Sequence, residues 1–359
     1  MASDIPPEIV EQIIAHLPPY KSAQYDIQSL ALTSRAFVDP CQRRLFQEVD
    51  FGLTVLSDYM APPSTAPPYF FRLLFIFKES PLLAGYVKTL SFPQLGIRGV
   101  YAGTGWLIDH PSLFADIVDC LISSRIQTIN LKGPYRAPPF DWDQLPLETE
   151  INFYCIFSNP SVEVLTMDYM TIPETFFGGF GGLKELELSR VRWARGVAPD
   201  FGTHEYRADL QRVQKLTKIC LAGEIHLSLD SLTPERGLDL TDVDDATWRI
   251  DLPQRAPSLS LLNPAKLKAL HLQVFDHSTR PPPKTPPLSL SSCCALSHLI
   301  ISQHAPARWE HFSTLWTANT ISSVPRNALH SLTIRFSSPT KDFQIVQYSG
   351  LELLSSVLL

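Results

Sequence analysis

The sequence predicts an α/β protein: three short helices at the N-terminus, then an irregular array in which brief parallel strands alternate with helices and loops. Three observations carry that expectation. Residues 5–51 hold apolar side chains at helical spacing, and one six-residue apolar pattern returns eight times beyond residue 69. In addition, 31 prolines against 16 glycines punctuate a chain of 359 residues that is still 45% hydrophobic. Proline is disfavoured in helix interiors and central strands. So many prolines in a chain able to bury a core mean many short elements joined by stiff connectors.

The helical unit comes first. Pro6-Pro7-Glu8 opens a helix, because the prolines fall where backbone N–H groups lack intrahelical acceptors and Glu8 complements the helix dipole. Ile9, Val10, Ile13, Ile14 and Leu17 then recur on one stripe until Pro18-Pro19 stops it. A second periodic stretch carries Ile27, Leu30, Ala31 and Leu32 into Thr33-Ser34-Arg35-Ala36-Phe37. A third runs after Pro40 through Cys41 to Phe46 and leads into the extended Val49-Asp50-Phe51. About fifty residues with this much aliphatic surface are marginal alone, so one face is expected to meet a partner or the following domain. The expected boundaries are a helical domain over 1–51, a proline-rich linker over 52–68 and the array over 69–359, with an apolar C-terminal segment, 351–359, that leaves the array incomplete or closed by a helix.

The array rests on a pattern of apolar, two variable, apolar, one variable, apolar. Its copies start at Val87, Ile126, Val162, Leu183, Leu216, Leu267, Leu296 and Leu329, giving intervals of 39, 36, 21, 33, 51, 29 and 33 residues. The last two apolar positions alternate with variable ones and so point to one face of a short strand. Apolar helical segments precede the first three copies, at Phe70 to Phe77, Leu113 to Ile122 and Phe153 to Phe157. One strand with one helix cannot bury its apolar face alone, whereas stacked copies can. An ordinary α/β domain with parallel strands is the competing architecture.

Composition excludes several functions. Lys and Arg number 30 against 36 Asp and Glu, a net charge of −6, which argues against a nucleic-acid binder working through phosphate neutralisation. No stretch of about 20 apolar residues marks a membrane span. Asp4, Glu8 and Glu11 interrupt the place of a secretory leader, and six cysteines without a CxxC pair fit a reducing cytoplasmic or nuclear setting. No GxSxG, Walker, GxGxxG or HExxH motif occurs, so no catalytic residue and no cofactor is assigned. Gly178-Gly179-Phe180-Gly181-Gly182 reads as a tight loop entering Leu183. Cys293-Cys294 with His298 is too few ligands for structural zinc, and Asp239 to Asp245 lacks the glycine and terminal glutamate of an EF-hand, which leaves a solvated loop. Arg280 to Pro287 contains a PxxP run, read as a stiff connector rather than a groove ligand.

Two resemblances follow from these residues. The runs IPPEIVEQIIAHL, LALTSRAF and CQRRLFQEVDF resemble an F-box, with Ile5-Pro6-Pro7-Glu8 at its opening, Leu30 to Phe37 in its centre and Leu45-Phe46 at its close. Ile5 stands where Leu is usual and Phe37 where Trp is commonest. The eight-fold pattern resembles degenerate leucine-rich repeats, whose parallel strands line the concave side of a solenoid with helices and loops on the convex side. Together, and with the segment Leu73 to Phe92, the chain is similar to the large F-box-like families of basidiomycete fungi. That resemblance implies a non-catalytic substrate receptor of a ubiquitin ligase. Ile5, Pro6, Pro7, Glu8, Ile9, Val10, Ile13, Ile14, Leu17, Leu30, Leu32 and Phe37 would hold a Skp-type adaptor and, through it, a cullin scaffold. A target protein would meet the variable strand positions: Thr89, Ser91, Thr128, Asn130, Glu185, Glu187, Lys218, His271, Gln273, His298, Ser302, Thr333 and Arg335. The alternative is a protein-interaction scaffold whose N-terminal helices only cap the array.

Overall fold

The computed structural model describes residues 6–17, 21–52, 68–93, 95, 106–134, 138–194, 212–222, 232–252, 262–276, 288–304, 317–325, 329–338 and 341–349. Ile5, the linker prolines Pro62 to Pro67, the PxxP run and the C-terminal segment 351–359 lie outside them. The fold is mixed α/β, without a closed barrel among the described residues. The chain divides into two compact units, Met1–Thr166 with Phe180–Gly182, and Met167–Gly179 with Leu183–Leu359.

The first unit opens with α1 (Pro7–Ala15), α2 (Lys21–Thr33) and α3 (Arg35–Phe46). Val10, Ile14, Ile27, Phe37 and Cys41 form a buried cluster, with Leu17, Leu30, Ala31 and Leu45 packed on it. Proline spacing suggests a break at Pro40, but the break falls at Ser34. Ser34 is extended (φ −158°, ψ 148°) and its hydroxyl accepts from the Ala36 N–H at 3.3 Å, while Pro40 lies inside α3. One proline removes one helix hydrogen bond, and its neighbours Phe37 and Cys41 are locked in the core. Packing wins.

The chain continues through β1 (Glu48–Asp50), α4 (Pro68–Glu79), α5 (Pro81–Ala84), β2 (Thr89–Phe92), α6 (Trp106–Asp109), α7 (Pro111–Leu121), β3 (Thr128–Lys132), β4 (Phe140–Asp141) and α8 (Leu147–Phe157). Strands β1, β2 and β3 are parallel neighbours, with Val49 opposite Leu90 and Leu90 opposite Ile129. Their apolar face meets an aromatic core. Phe51 stacks on Phe92 at 4.4 Å and on Phe70 at 5.5 Å, and Phe114 and Phe153 extend the cluster to Trp142 and Phe157. Phe180 ends it, stacked on Phe157 at 4.6 Å. The glycines beside Phe180 have a spatial cause: a Cβ on Gly181 would sit 2.4 Å from the Ser158 carbonyl oxygen.

Strand β5 (Val164–Asp168) carries the chain into the second unit, whose remaining strands are β6 (Met170–Ile172), β7 (Glu185–Ser189), β8 (Arg192–Trp193), β9 (Gln214–Lys215), β10 (Lys218–Ala222), β11 (Leu238–Asp239), β12 (Asp245–Leu252), β13 (Ala269–Asp276), β14 (His298–His304), β15 (Ser331–Ser338) and β16 (Lys341–Ser349). The order β7-β10-β12-β13-β14-β15 is parallel throughout, and β16 closes it antiparallel. Its described connectors include the 3₁₀ turns Phe176–Gly179 and Pro234–Arg236 and a short helix over 317–322, not long helices like α7 and α8.

Every one of the eight sequence copies is a strand that begins at the third residue of the copy. Two further copies emerge. Phe46-Gln47-Glu48-Val49-Asp50-Phe51 forms β1, and Val243-Asp244-Asp245-Ala246-Thr247-Trp248 starts β12, so the 51-residue interval resolves into 27 and 24. One backbone contact marks the repeat. The carbonyl at the second position of a copy accepts two successive N–H groups from the next copy, at 2.8–3.4 Å. Gln47, Lys88 and Gln127 do so in the first unit, and Lys184, Thr217, Asp244, Lys268 and Ser297 in the second.

Candidate interaction surfaces

The twelve residues placed on the adaptor side divide into two sets. Val10, Ile14 and Phe37 are buried in the helical core, and Leu17 and Leu30 pack against it. Ile9 and Ile13 remain 45% and 43% exposed and Leu32 89% exposed, with Pro6 and Glu8 also at the surface. Pro7 is the first residue of α1. The helix α1 is therefore apolar on two sides, one spent on its own core and one open. Tyr25, 75% exposed on α2, adds a ring that the sequence reading did not single out.

The helical unit is tied to the segment that leads into β2. The Tyr86 hydroxyl donates to Asp39 of α3, Arg43 pairs with Asp39 at 2.8 Å, and the Arg43 guanidinium lies 5.6 Å from the Tyr86 ring centre. Hydrogen bonding from Tyr86 holds the Asp39 carboxyl below the usual range, with Arg43 helping. The same bond pushes the Tyr86 hydroxyl up.

The variable strand positions form polar rows on the face opposite the core. In the first unit Asn130 Nδ2 donates to Ser91 Oγ at 3.1 Å, and Ser91 donates to Glu48 Oε1 at 2.8 Å. Thr89 and Thr128 are register partners one row earlier. In the second unit Lys218 lies 3.9 Å from Glu185 and 3.8 Å from Asp245 on the flanking strands. Glu187, Cys220, Thr247, His271, Ile300 and Thr333 occupy the next row, and Arg249, Gln273, Ser302 and Arg335 the one after. His271 Nε2 and Ser302 Oγ are 3.0 Å apart, and the Arg249 guanidinium lies 3.8 Å from the Phe275 ring centre. His298 is exposed beside Ala269, while Ser302 and Thr333 are largely covered. Glu48, Asp245, Cys220 and Arg249 were missed because β1 and β12 were missed, or because cysteine reads as core. Burial pushes the Cys220 thiol up to about 11, and the Glu187 carboxylate adds to it.

The acidic run is at the surface, where its carboxylates meet neighbouring lysines. Lys266 meets Asp242, Lys268 meets Asp244 at 3.1 Å, and Asp239 accepts from the Thr241 N–H and hydroxyl at 2.9 and 2.7 Å. Cys293 is buried and Cys294 exposed. Among the described residues no group of three His, Cys, Asp or Glu side chains could hold a metal ion, and no helix is long and apolar enough to cross a membrane. A shallow depression of about 530 Å³ in the first unit has Arg125 as its one charged lining residue. Its Asn159 amide is spent on the Ile122 and Ser124 carbonyls, at 3.3 and 3.0 Å.

The fold and its rows define a mixed α/β protein of stacked parallel strands that presents side chains in register. No family model matches the chain, and searches of curated proteins and of solved structures return no match.

Proposed function

We propose that the chain is a non-catalytic substrate receptor of a Skp–cullin–F-box ubiquitin ligase. In this reading α1–α3 are an F-box that grips the adaptor. The strand array is an irregular leucine-rich-repeat solenoid whose variable face takes the target protein, and the chain works in the cytoplasm or nucleus. One observation supports it above the others: Ile9, Ile13 and Leu32 stay exposed although the same helices already own a closed core. Exposed apolar side chains gathered on one surface mark a contact with another protein. The test is co-precipitation of the full chain with a purified Skp-type adaptor. Aspartate at Ile9, Ile13 and Leu32 together should abolish recovery while leaving the melting transition in place, because none of the three is in the core. Equal recovery of wild type and variant would overturn the reading.

A second reading has its own observation. Strand β1 pairs with β2, and Phe51 enters the aromatic core, so the N-terminal helices also lead into the end of the array. As a scaffold cap, residues 1–51 would contribute stability and no partner. Deleting them would then lower the melting temperature, and the full chain would not capture the adaptor.

A further inference from the structure

Helix α4 turns a second apolar face to solvent. Phe70, Leu73, Leu74 and Phe77 are buried on its inner side. Phe71 and Phe75, one turn apart, are nonetheless 53% and 64% exposed, and Ile76 is partly so. With 3.6 residues per turn, a seven-residue step falls about 20° short of two full turns. Arg72 and Glu79 therefore share one line along the helix, opposite the buried residues, with Phe75 and Ile76 between them on either side of it. Both charged residues are exposed, and among the described residues neither has a hydrogen-bond or ion-pair partner. Lys78, at the margin of the face, is already paired with Asp116 of α7 at 3.1 Å.

We propose that this face binds a second copy of the chain, with α4 packed antiparallel on α4. A closed two-fold contact uses the same patch on both partners, so the patch must complement itself. This one does. With the two-fold axis between Phe75 and Ile76, Arg72 of each copy meets Glu79 of the other, so the ion pair forms twice. Phe75 of each copy lies on Ile76 of the other between those pairs. Phe71 reaches the C-terminal end of the opposite helix, where Leu82 of α5 follows, 71% exposed. Charge also selects this arrangement over its neighbours. A parallel pairing sets Arg72 on Arg72, and moving the axis onto Phe75 sets Arg72 against Lys78. Arg72 and Lys78 balance Glu79 and Asp116, so the chain's net charge of −6 is not concentrated here. Paired helices of 12 residues bury less than the ~1,200–2,000 Å² of a standard interface, so the dimer is weak and concentration-dependent. The inference depends on neither the adaptor nor the target.

Sedimentation velocity of the full chain at physiological salt, over ~1–300 μM, tests it. Reductant keeps the exposed Cys294 from cross-linking copies. A reversible monomer–dimer equilibrium is expected, and Phe75→Asp should remove it up to the highest concentration. Arg72→Glu and Glu79→Arg should each raise the dissociation constant at least ~10-fold, since each sets two like-charged pairs across the axis. Mixing these two single variants should restore a dimer tighter than either forms alone, and the double variant Arg72→Glu/Glu79→Arg should dimerise again. A folding defect cannot produce that rescue, and unchanged circular dichroism of Phe75→Asp covers the variant that has none. A chain that stays monomeric throughout overturns the proposal and leaves the face to a different protein. So does a dimer indifferent to these substitutions, or a mixture of the two charge reversals that stays monomeric.

Discussion

The Arg190 guanidinium closes on the Asp168 carboxylate in a forked pair, with Nη2 2.6 Å from Oδ2 and Nε 3.0 Å from Oδ1, just beyond the ends of two successive sequence copies. Tyr169 and Arg190 occupy the same position in their copies, and both are left-handed, at φ 58° and 53°. The Tyr169 N–H reaches the Ser189 carbonyl at 2.9 Å, and the Arg190 guanidinium lies 5.1 Å from the Tyr169 ring centre. The pair thus offsets the cost of two non-glycine residues in a conformation that L side chains disfavour. Arg190→Ala should destabilise by about 1–2 kcal/mol, because Asp168 is largely covered and Arg190 only partly so. Arg190→Gly loses the same pair but relieves its own backbone, so it should be the milder change in urea titrations.

The Asp39–Tyr86 bond gives stability a dependence on pH at both ends. Asp39 has a lowered carboxyl pKa, so its contribution is complete above the ordinary value near 3.9 and is lost as pH falls through the lowered one. Tyr86 has a raised pKa, so its contribution is complete below about 10 and is lost as pH rises through the raised one. Tyr86→Phe should cost at most about 1 kcal/mol at neutral pH, since water competes for a half-exposed bond. Urea midpoints measured across pH should show both limbs flattened in the variant.

Cys220 should be slow to alkylate. With its thiol pushed up to about 11 by burial and then by Glu187, little thiolate exists at neutral pH. Iodoacetamide labelling followed by mass spectrometry should modify the exposed Cys294 first, and Cys220 should gain rate steeply only as pH approaches 11. Glu187→Gln removes one of the influences that raise the thiol, beside burial and Asp245, so labelling of Cys220 should begin at a lower pH.

Eight of the ten stacked copies were legible because their apolar positions are filled by Leu, Ile, Val, Met or Phe. The β12 copy was hidden by Ala246 and Trp248, which bury as well as leucine but break the pattern. The β1 copy was hidden because Phe46-x-x-Val49-x-Phe51 was read as the end of the helical unit. The helix break at Ser34 is less legible than Pro40, because a proline inside a helix removes one hydrogen bond that packing of Phe37 and Cys41 offsets. The variable face was legible as a list, since alternation decides which side chains leave the core. Its rows were not, because register between copies depends on the backbone contacts of residues such as Lys88 and Lys184, which carry no local signal.

Gly237 is the described glycine held in the left-handed region, at φ 84°, in the turn after Pro234–Arg236. A Cβ there would lie 2.9 Å from the Gly178 backbone nitrogen, so neither conformation nor space admits a side chain. Gly237→Ala should therefore destabilise by about 1–3 kcal/mol, against a few tenths for an unstrained surface change. Thermal melting of the variant checks this.

Phe51 bears on how the helical unit and the array depend on each other. Its ring is fully buried between Phe92 at 4.4 Å and Phe70 at 5.5 Å, with Phe114 edge-on at 5.8 Å, and its carbonyl accepts from the Trp106 indole N–H at 3.4 Å. Truncation leaves a cavity that four rigid aromatic neighbours cannot fill, so Phe51→Ala should cost about 3–5 kcal/mol. Phe51→Leu keeps much of the volume and should cost clearly less. The helical cluster of Val10, Ile14, Ile27, Phe37 and Cys41 does not include Phe51. Amide exchange should therefore show the loss of protection beginning in β1, β2 and α7, with α1 and α2 affected less. Equal loss across α1 would mean that the helices have no stability apart from the array, which is what a cap requires and an independent adaptor-binding module does not.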